Sequence, residues 1–497
     1  MMIDFQLIYI VYIFIGCIIG LVMGALPGLT VTMTIVLVVS LTFGWEMIPA
    51  LAFIMGAYAG GVMGGSISAI ALNIPGTAAA VSTVFEGYPL KLKGEANNAL
   101  GIAMFVSLIG GMFGFVMLAL VGPLVGRIAL KFGSQEYFLI TLWGITLVAV
   151  LSQGNILKGL LTAFIGIFIG MIGMDPITGL MRFTFGSKIL SGGINYIAAM
   201  IGLFGMKEAF VQLEKSKTFN VDENYSIKDL FPSRKIIKRV MPSVTWSSVI
   251  GYIIGLLPGA GGDIGALVCY GVTKSVVKNP SSPFGEGAYE GIAAPETAND
   301  ASIGGDLTTM LTLGIPGDSI TAVILGSFYM HGLLPGPTFM LTNKIYFYYI
   351  LAFLFVGTIF SYIFGILGSN VMLKVLKFPK WSLVPLITLL CVIGSFALQN
   401  SMYDVYFMLF FGVLGYLCEV RDYPVSPIVL SIILGPMIEV NFRQALIATG
   451  SPIALSTSFI TRPLALVLLI LIIGSFMLQK FTMGTEIKNE TEKQTKA

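Results

Sequence analysis

Residues 255–265 read GLLPGAGGDIG, placing five glycines, one proline and one aspartate inside an otherwise apolar segment. Proline lacks a backbone N–H, and glycine reaches positive φ, so a helix entering this stretch has to end within it. At membrane depth, unpaired backbone groups are tolerated only inside protein or beside a polar cavity. Exposed N–H groups at the start of a half-helix attract anions, and exposed carbonyls at the end of one attract cations. The stretch therefore reads as a broken helix that lends its backbone to a ligand.

The rest of the chain supplies the setting. It has 497 residues, 56% of them hydrophobic and 11% charged, with a mean hydropathy of +0.91. A soluble domain carries about a quarter charged residues. Uncharged runs at 7–23, 99–126, 345–373 and 463–479 are long enough to cross a bilayer core of ~30 Å. The run 159–174 is short for a straight span, which suggests tilted, buried or broken helices. The expected fold is an all-α polytopic membrane protein with roughly 10–14 transmembrane segments. The net charge of +3 offers no field for nucleic acid. Four scattered cysteines read as small core residues, and the single histidine, His331, excludes a histidine-based metal cluster. The N-terminal MMIDFQL has no basic region and no small-residue cleavage site, so 7–23 is read as a retained first helix. No Walker lysine motif, flavin motif or haem motif is present. The chain is read as neither an ATP-driven pump nor an enzyme, and no cofactor is expected beyond a coupling Na⁺ or H⁺.

Two kinds of proline–glycine element recur in the same order. The first half carries GALPGLT (24–30) and then LNIPGT (72–77); the second carries GLLPGAG (255–261) and then LGIPGD (313–318). Pro27 and Pro258 are 231 residues apart, and Pro75 and Pro316 are 241 apart. Gly-Gly pairs at 64–65 and 304–305 precede the second element in both halves. The pattern predicts a duplicated unit, with Pro27, Gly28, Pro75, Pro258, Gly259 and Pro316 as the breaking residues. In secondary transporters such halves are often inverted, and the substrate site lies where their broken helices meet. The expected division is 1–211 as the first half, 212–242 as a cytoplasmic linker, 243–480 as the second half and 481–497 as a polar tail. The linker assignment rests on seven Lys/Arg against four Asp/Glu in that stretch.

The candidate ligand groups follow from the breaks. A short apolar segment, a PG break and then small polar residues describe a re-entrant hairpin in each half. The first tip would present Asn73, Gly76 and Thr77, and the second Gly317, Asp318 and Ser319. Such side chains suit carboxylate hydrogen bonding and Na⁺ coordination, although Ser and Thr also bond back within membrane helices. Between 279 and 343 lie Glu286, Glu290, Glu296, Asp300, Asp306 and Asp318, with no Lys or Arg. Glu296, Asn299 and Asp300 share one helical face. Together with Asp263 they read as ion-binding or cavity-lining groups, whereas Glu286 and Glu290 read as solvated loop charges. No metal beyond Na⁺ is expected. The glycines at 56, 60 and 64 form a ridge for close helix packing.

The strings GALPGLT, GGSISAIALNIPGTAAAVSTVFEGYP, LLPGAGGDIGA, APETANDASIGGDLTTMLTLGIPG and HGLLPGPTF, spread over 15–450, resemble the large permease subunit of the tripartite tricarboxylate transporters, the TctA family. The resemblance implies uptake of organic carboxylates by Na⁺ or H⁺ symport. It implies two protein partners, a small four-helix membrane subunit and an extracytoplasmic solute-binding protein, and places the chain in a prokaryotic inner membrane. It also implies a fold similar to the ion-transporter superfamily, with two inverted repeats, paired re-entrant hairpins and elevator movement. The chain departs from the family pattern at Thr30 and Val31, at Asp263 and at Asp300, so the usual substrate or ion is open. The alternative is a cation channel or exchanger that uses the acidic 286–318 segment without an anion.

Overall fold

The computed structural model describes residues 6–151, 156–214, 225–377 and 380–475. The expected polar tail and residues 215–224 of the expected linker lie outside them. Among the described residues the regular structure is helical apart from one two-stranded antiparallel hairpin, Gly173–Met174 against Met181–Arg182. Among the described residues, seven helices are long and apolar enough to cross a membrane, or eight if the bent pair Pro452–Thr461 and Pro463–Ser475 counts as one span. That is fewer than the expected number of segments. The PG breaks divide apolar stretches into short helices such as Val31–Leu41 and Ser319–Met330, and the acids of Tyr289–Leu313 keep that long helix out of the count.

The helices run α1 (Leu7–Ala25), α2 (Val31–Leu41), α3 (Met47–Leu72), α4 (Val81–Leu92), α5 (Ala96–Ala129), α6 (Ser134–Leu151), α7 (Ile156–Gly170), α8 (Lys188–Ser191), α9 (Tyr196–Met200) and α10 (Lys207–Glu214). A π-helical stretch, Ile201–Met206, joins the last two. Then follow α11 (Arg234–Gly255), α12 (Gly261–Val276), α13 (Tyr289–Leu313), α14 (Ser319–Met330), α15 (Phe339–Thr342), α16 (Lys344–Leu367), α17 (Ser369–Leu376), α18 (Val384–Gln399), α19 (Met402–Val420), α20 (Ser426–Thr449) and α21 (Pro452–Thr461). The basic end of the expected linker is helix: α11 starts at Arg234 behind a Ser233 N-cap and carries Pro242 within it.

Two compact units form, residues 1–130 with 195–417, and residues 131–194 with 418–497. Each half of the sequence contributes to both. In the first unit the helices pack backbone to backbone through glycine. A Cβ added at Gly20 of α1 would lie 2.7 Å from the Gly61 nitrogen of α3, and one at Gly64 would lie 2.7 Å from the Leu21 oxygen. Gly114 of α5 meets Ala301 of α13 in the same way, with an added Cβ 2.6 Å from its oxygen. Gly251 and Gly255 of α11 rest on Ala298 and Ser302 of α13. In lipid, helix association depends on such close van der Waals contact, because the hydrophobic effect does not separate helix from helix.

These contacts fix direction. Gly16, Gly20 and Gly24 climb α1 as Phe53, Ala57 and Gly61 climb α3, so the two helices are parallel. Tyr9 meets Tyr349, and Cys17 donates to the Gly357 carbonyl at 3.3 Å, so α16 runs with them. By the same reasoning α11 and α5 both run with α13. Gly111 meets Thr358, Gly122 faces Phe347 and Gly365 faces Met104, so α5 and α16 are antiparallel. Helices α1, α3 and α16 thus run one way, and α11, α13 and α5 the other.

In the second unit α20 packs on α6 and α7. Asp175, in the hairpin turn, accepts bonds from Ile177 N at 2.9 Å and Thr178 Oγ1 at 2.7 Å. Arg443 of α20 pairs with it at 2.7 Å and with Glu439 at 3.1 Å, and Glu439 also holds Arg182 of the hairpin. The Arg443 guanidinium, helped by the Thr178 hydroxyl, holds the Asp175 carboxyl well below the usual carboxylate range.

Two outcomes follow. Gly20→Val and Gly304→Val should each lower stability by about 1–3 kcal/mol through overpacking, read as melting temperature in detergent. Gly271→Ala, whose methyl meets nothing within 4 Å, should leave it unchanged. A carboxyl with a depressed folded-state pKa contributes stability that is present above its unfolded pKa and lost as pH falls through the folded one. Arg443→Met should therefore move acid-induced loss of the second unit's structure to higher pH, toward the ordinary carboxylate range, in a pH titration of protease resistance.

Candidate functional site

Both long central helices end alike. Helix α3 stops at Asn73 in the left-handed region (φ 60°, ψ 26°), and α13 stops at Gly314 (φ 71°, ψ 17°). Asparagine and glycine are the residues that tolerate this conformation, and the Ile-Pro-Gly that follows cannot continue the helix. A twelve-residue helix then begins in each half, α4 or α14. Asp318 caps α14: its Oδ1 accepts from Thr321 N at 2.7 Å, while Thr321 Oγ1 accepts from Asp318 N at 2.9 Å. The earlier breaks turn on Gly28 (φ 90°) between α1 and α2, and on Gly259 (φ 81°) and Gly261 (φ 59°) between α11 and α12.

Within each half the two breaks touch. Gly259 N donates to the Gly317 carbonyl at 2.6 Å, and a Cβ at Gly261 would lie 2.7 Å from that of Asp318. In the first half Gly76 packs against the Gly24 carbonyl and donates to Gly65 O at 3.3 Å. The spent carbonyls at the ends of the long helices are covered differently. Lys91 Nζ donates to Ala71 O at 2.6 Å in the first half, and Gly336 N donates to Leu311 O at 3.1 Å in the second.

The halves also touch each other. Asp263, in the first turn of α12, lies near the Ala79 backbone of the break before α4 and within Coulomb range of Asp318. Thr83 Oγ1 of α4 bonds Glu296 Oε1, and Ser107 of α5 reaches Glu296 Oε2 at 3.5 Å and lies beside Asp300. Glu296, Asn299, Asp300 and Asp306 are all buried along α13, as are Pro258, Pro316 and Gly317. Asp263 and Asn73 are exposed, while Asp318 and Ser319 are half-buried, so polar positions beside the buried acids stay accessible. No ion pair reaches these acids among the described residues.

Five of the expected residues converge. Asp263, Gly259, Gly317, Asp318 and Asn299 surround one point, where Gly262 packs against the Asn299 side chain and Ser302. Gly76 and Thr77 instead face inward: Thr77 packs on Gly65 and its Oγ1 accepts from Ala80 N at 3.4 Å. The first-half side chains that reach across are Thr83, Ser107 and Glu86. Three further side chains belong here. Asp306 packs beneath Gly317. Tyr58 of α3 lies fully buried within electrostatic reach of Asp263, Asp300, Asp306 and Asp318. Thr83 is the third. The repeat itself carried a signal for two of them. Asp306 stands ten residues before its proline, where the first half has Gly65, and Tyr58 stands where the second half has Asn299.

Two glutamates hold the surrounding loop. Glu86 of α4, fully buried, accepts from Tyr270 OH at 2.8 Å and from the amides of Gly285 at 2.7 Å, Gly287 at 2.8 Å and Ala288 at 2.8 Å. Glu290, expected as a solvated loop charge, is buried and pairs with Arg239 at 2.8 Å. It also accepts from Ser281 Oγ at 2.7 Å. Its cation comes from α11, outside the stretch that lacks Lys and Arg. Glu286 is exposed, as expected.

A polytopic helical membrane protein whose interrupted helices converge on buried acids is built for ligands inside the membrane. The tripartite tricarboxylate transporter TctA family matches residues 10–430, and the chain belongs to that family, as its large subunit. It is similar to two proteins of Agrobacterium vitis. One, an uncharacterized 52.8 kDa protein in the TAR-I ttuC' 3'region, is 33% identical over 460 residues, covering 93% of this chain and 91% of that protein. The other, an uncharacterized protein in the TAR-II ttuC' 3'region, is 34% identical over 219 residues, covering 44% of this chain and 89% of its own.

Glu86→Gln should free the loop over the site. By hydrogen–deuterium exchange, the amides of 285–288 should exchange about tenfold faster or more than in the parent, which is the change expected from losing ~1.4 kcal/mol of charge-assisted bonding.

Proposed function

We propose that this chain moves small organic di- or tricarboxylates across a prokaryotic plasma membrane together with Na⁺ or H⁺. It would be fed by an extracytoplasmic solute-binding protein and paired with a small four-helix membrane subunit. The observation that carries the reading is the meeting of the two halves at a buried acid: Thr83 Oγ1 of α4 donates to Glu296 Oε1 of α13, and Ser107 of α5 reaches Glu296 Oε2 at 3.5 Å. Family membership supports the substrate class.

The physics of coupling follows from the groups present. N-termini of interrupted helices, at Gly261 and Ser319, offer N–H groups to an anion. The buried acids beside them offer sites for cations and repel an unaccompanied anion. Cation and carboxylate each make the other tolerable, so the loaded state is the one that crosses. Asn73, Gly76, Thr77, Gly317, Asp318 and Ser319 form or shape the anion side. Asp263, Glu296, Asn299 and Asp300 form the cation side.

The same proposal takes the halves as inverted repeats. The opposite directions of α1, α3 and α16 against α11, α13 and α5 support this. Helices α3–α4 and α13–α14 act as the two re-entrant hairpins, and the glycine-packed core moves as one body, elevator-fashion.

The test is uptake of labelled citrate and succinate into proteoliposomes holding the chain and its small subunit, with the binding protein outside and an imposed Na⁺ or pH gradient. Concentrative uptake is expected. Asp300→Asn should insert normally and shift half-saturating cation by about tenfold, or ~1.4 kcal/mol. Cation flux without any carboxylate uptake would sink the proposal in favour of a channel or exchanger.

A further inference from the structure

Asp306 is 1% exposed, and neither carboxylate oxygen has a hydrogen-bond partner. The Ser302 hydroxyl lies beside it, yet donates to the Asn299 carbonyl at 2.8 Å. A lone ionised carboxylate at this depth costs several kcal/mol, so its charge must be neutralised by something that binds there. The carboxyl is aimed at the second tip. A Cβ built on Gly317 would fall 2.6 Å from Asp306 Cα and 2.8 Å from its Cβ, and would also collide with Oδ1.

The surroundings select the kind of cation. Asp318 at the N-cap of α14 and Asp263 on α12 are both within Coulomb range and add negative potential. Along α13 itself stand Asp300 and Glu296, one to three turns away. From α11 comes Tyr252, bonded to Thr308 at 3.0 Å, and from α3 comes Tyr58. None of these is a cation. Among the described residues no three acidic, histidine or cysteine side chains converge closely enough to hold a metal ion, which argues against a divalent site.

We propose that Asp306, beneath the Gly317 tip, binds the coupling cation directly, one monovalent ion, Na⁺ or H⁺, with the other acids of the cation side shaping the field around it. This rests on the transport reading above and names a residue for it. Bound cation removes the charge that would otherwise face Gly317 and Asp318, so the tip closes only when the site is filled. An anion arriving at the α14 N-terminus then meets a neutralised floor.

The experiment uses the purified full-length chain in nanodiscs and needs no organic substrate. Melting temperature is followed as NaCl replaces choline chloride at fixed pH, and as pH falls in choline chloride alone. The parent should be stabilised saturably by one of the two cations, and which one it is separates Na⁺ from H⁺. Asp306→Asn, neutral and of the same shape, should melt as high without the cation as the parent does with it, and should lose the response. A parent-like Na⁺ and pH response in Asp306→Asn overturns the proposal. Should that variant not fold, Gly317→Ala serves: its methyl crowds Asp306, and it should weaken apparent cation affinity by about tenfold or more. An unchanged half-saturation there overturns the proposal too. A cation response that depends on Asp306, with no carboxylate uptake in liposomes, would defeat the transport reading and leave this site standing.

Discussion

Close approach of helix backbones through paired glycines is the constraint on which the first unit rests. Helices α1 and α3, α11 and α13, and α5 and α13 meet where any Cβ would strike the neighbour's carbonyl or amide. In lipid there is no hydrophobic gain from bringing two helices together, so contact has to be dense and continuous to count. That density is what allows α3 and α13 to stop inside the packed unit. Their ends lie among packed backbone, where the orphaned groups of the Pro-Gly breaks find partners such as Gly65 O, Gly317 O and Lys91 Nζ.

On this frame the two halves do different chemical work. Matching positions carry matching backbone: left-handed caps at Asn73 and Gly314, glycines at 76 and 317, and twelve-residue helices after each break. The side chains diverge. Where the first half has Gly65, Tyr58 and Thr77, the second has Asp306, Asn299 and Asp318. At Glu296 the first half supplies the donors, Thr83 and Ser107, whereas at Glu86 the second half supplies them, from Tyr270, Gly285, Gly287 and Ala288. A site assembled across that divide is sensitive to any movement of one half against the other. A buried acid would lose its partners were they to part, leaving a bare charge in a low-dielectric interior.

Acids in the region fall into two groups by partner rather than by depth. Glu86 and Glu290 are as buried as Asp306, yet each is met by several donors and so fixes the loop of 277–288 in place. Asp306 has none, and one oxygen of Asp300 has none. Satisfied carboxylates rigidify, whereas unsatisfied ones wait for a ligand.

Much of this was legible from residue order alone. Composition places the chain in a membrane, because too few charges remain to solvate a surface. The recurring PG elements mark the broken helices and the duplication, because proline and glycine act on their own backbone, and local rules need no neighbour. Acids at 296, 300 and 306 announce themselves by their rarity in apolar surroundings. What folding alone decided concerns pairings between distant residues. Whether Glu290 is solvated depended on Arg239, which lies 51 residues away. Thr77, a tip residue by sequence, turns toward Gly65 because a glycine there leaves room for it. The opposite directions of the two helix sets, and the reach of Thr83 to Glu296, exist only once glycine ridges from separate segments have interlocked. A sequence specifies which backbone must break, and packing specifies what the broken ends then face.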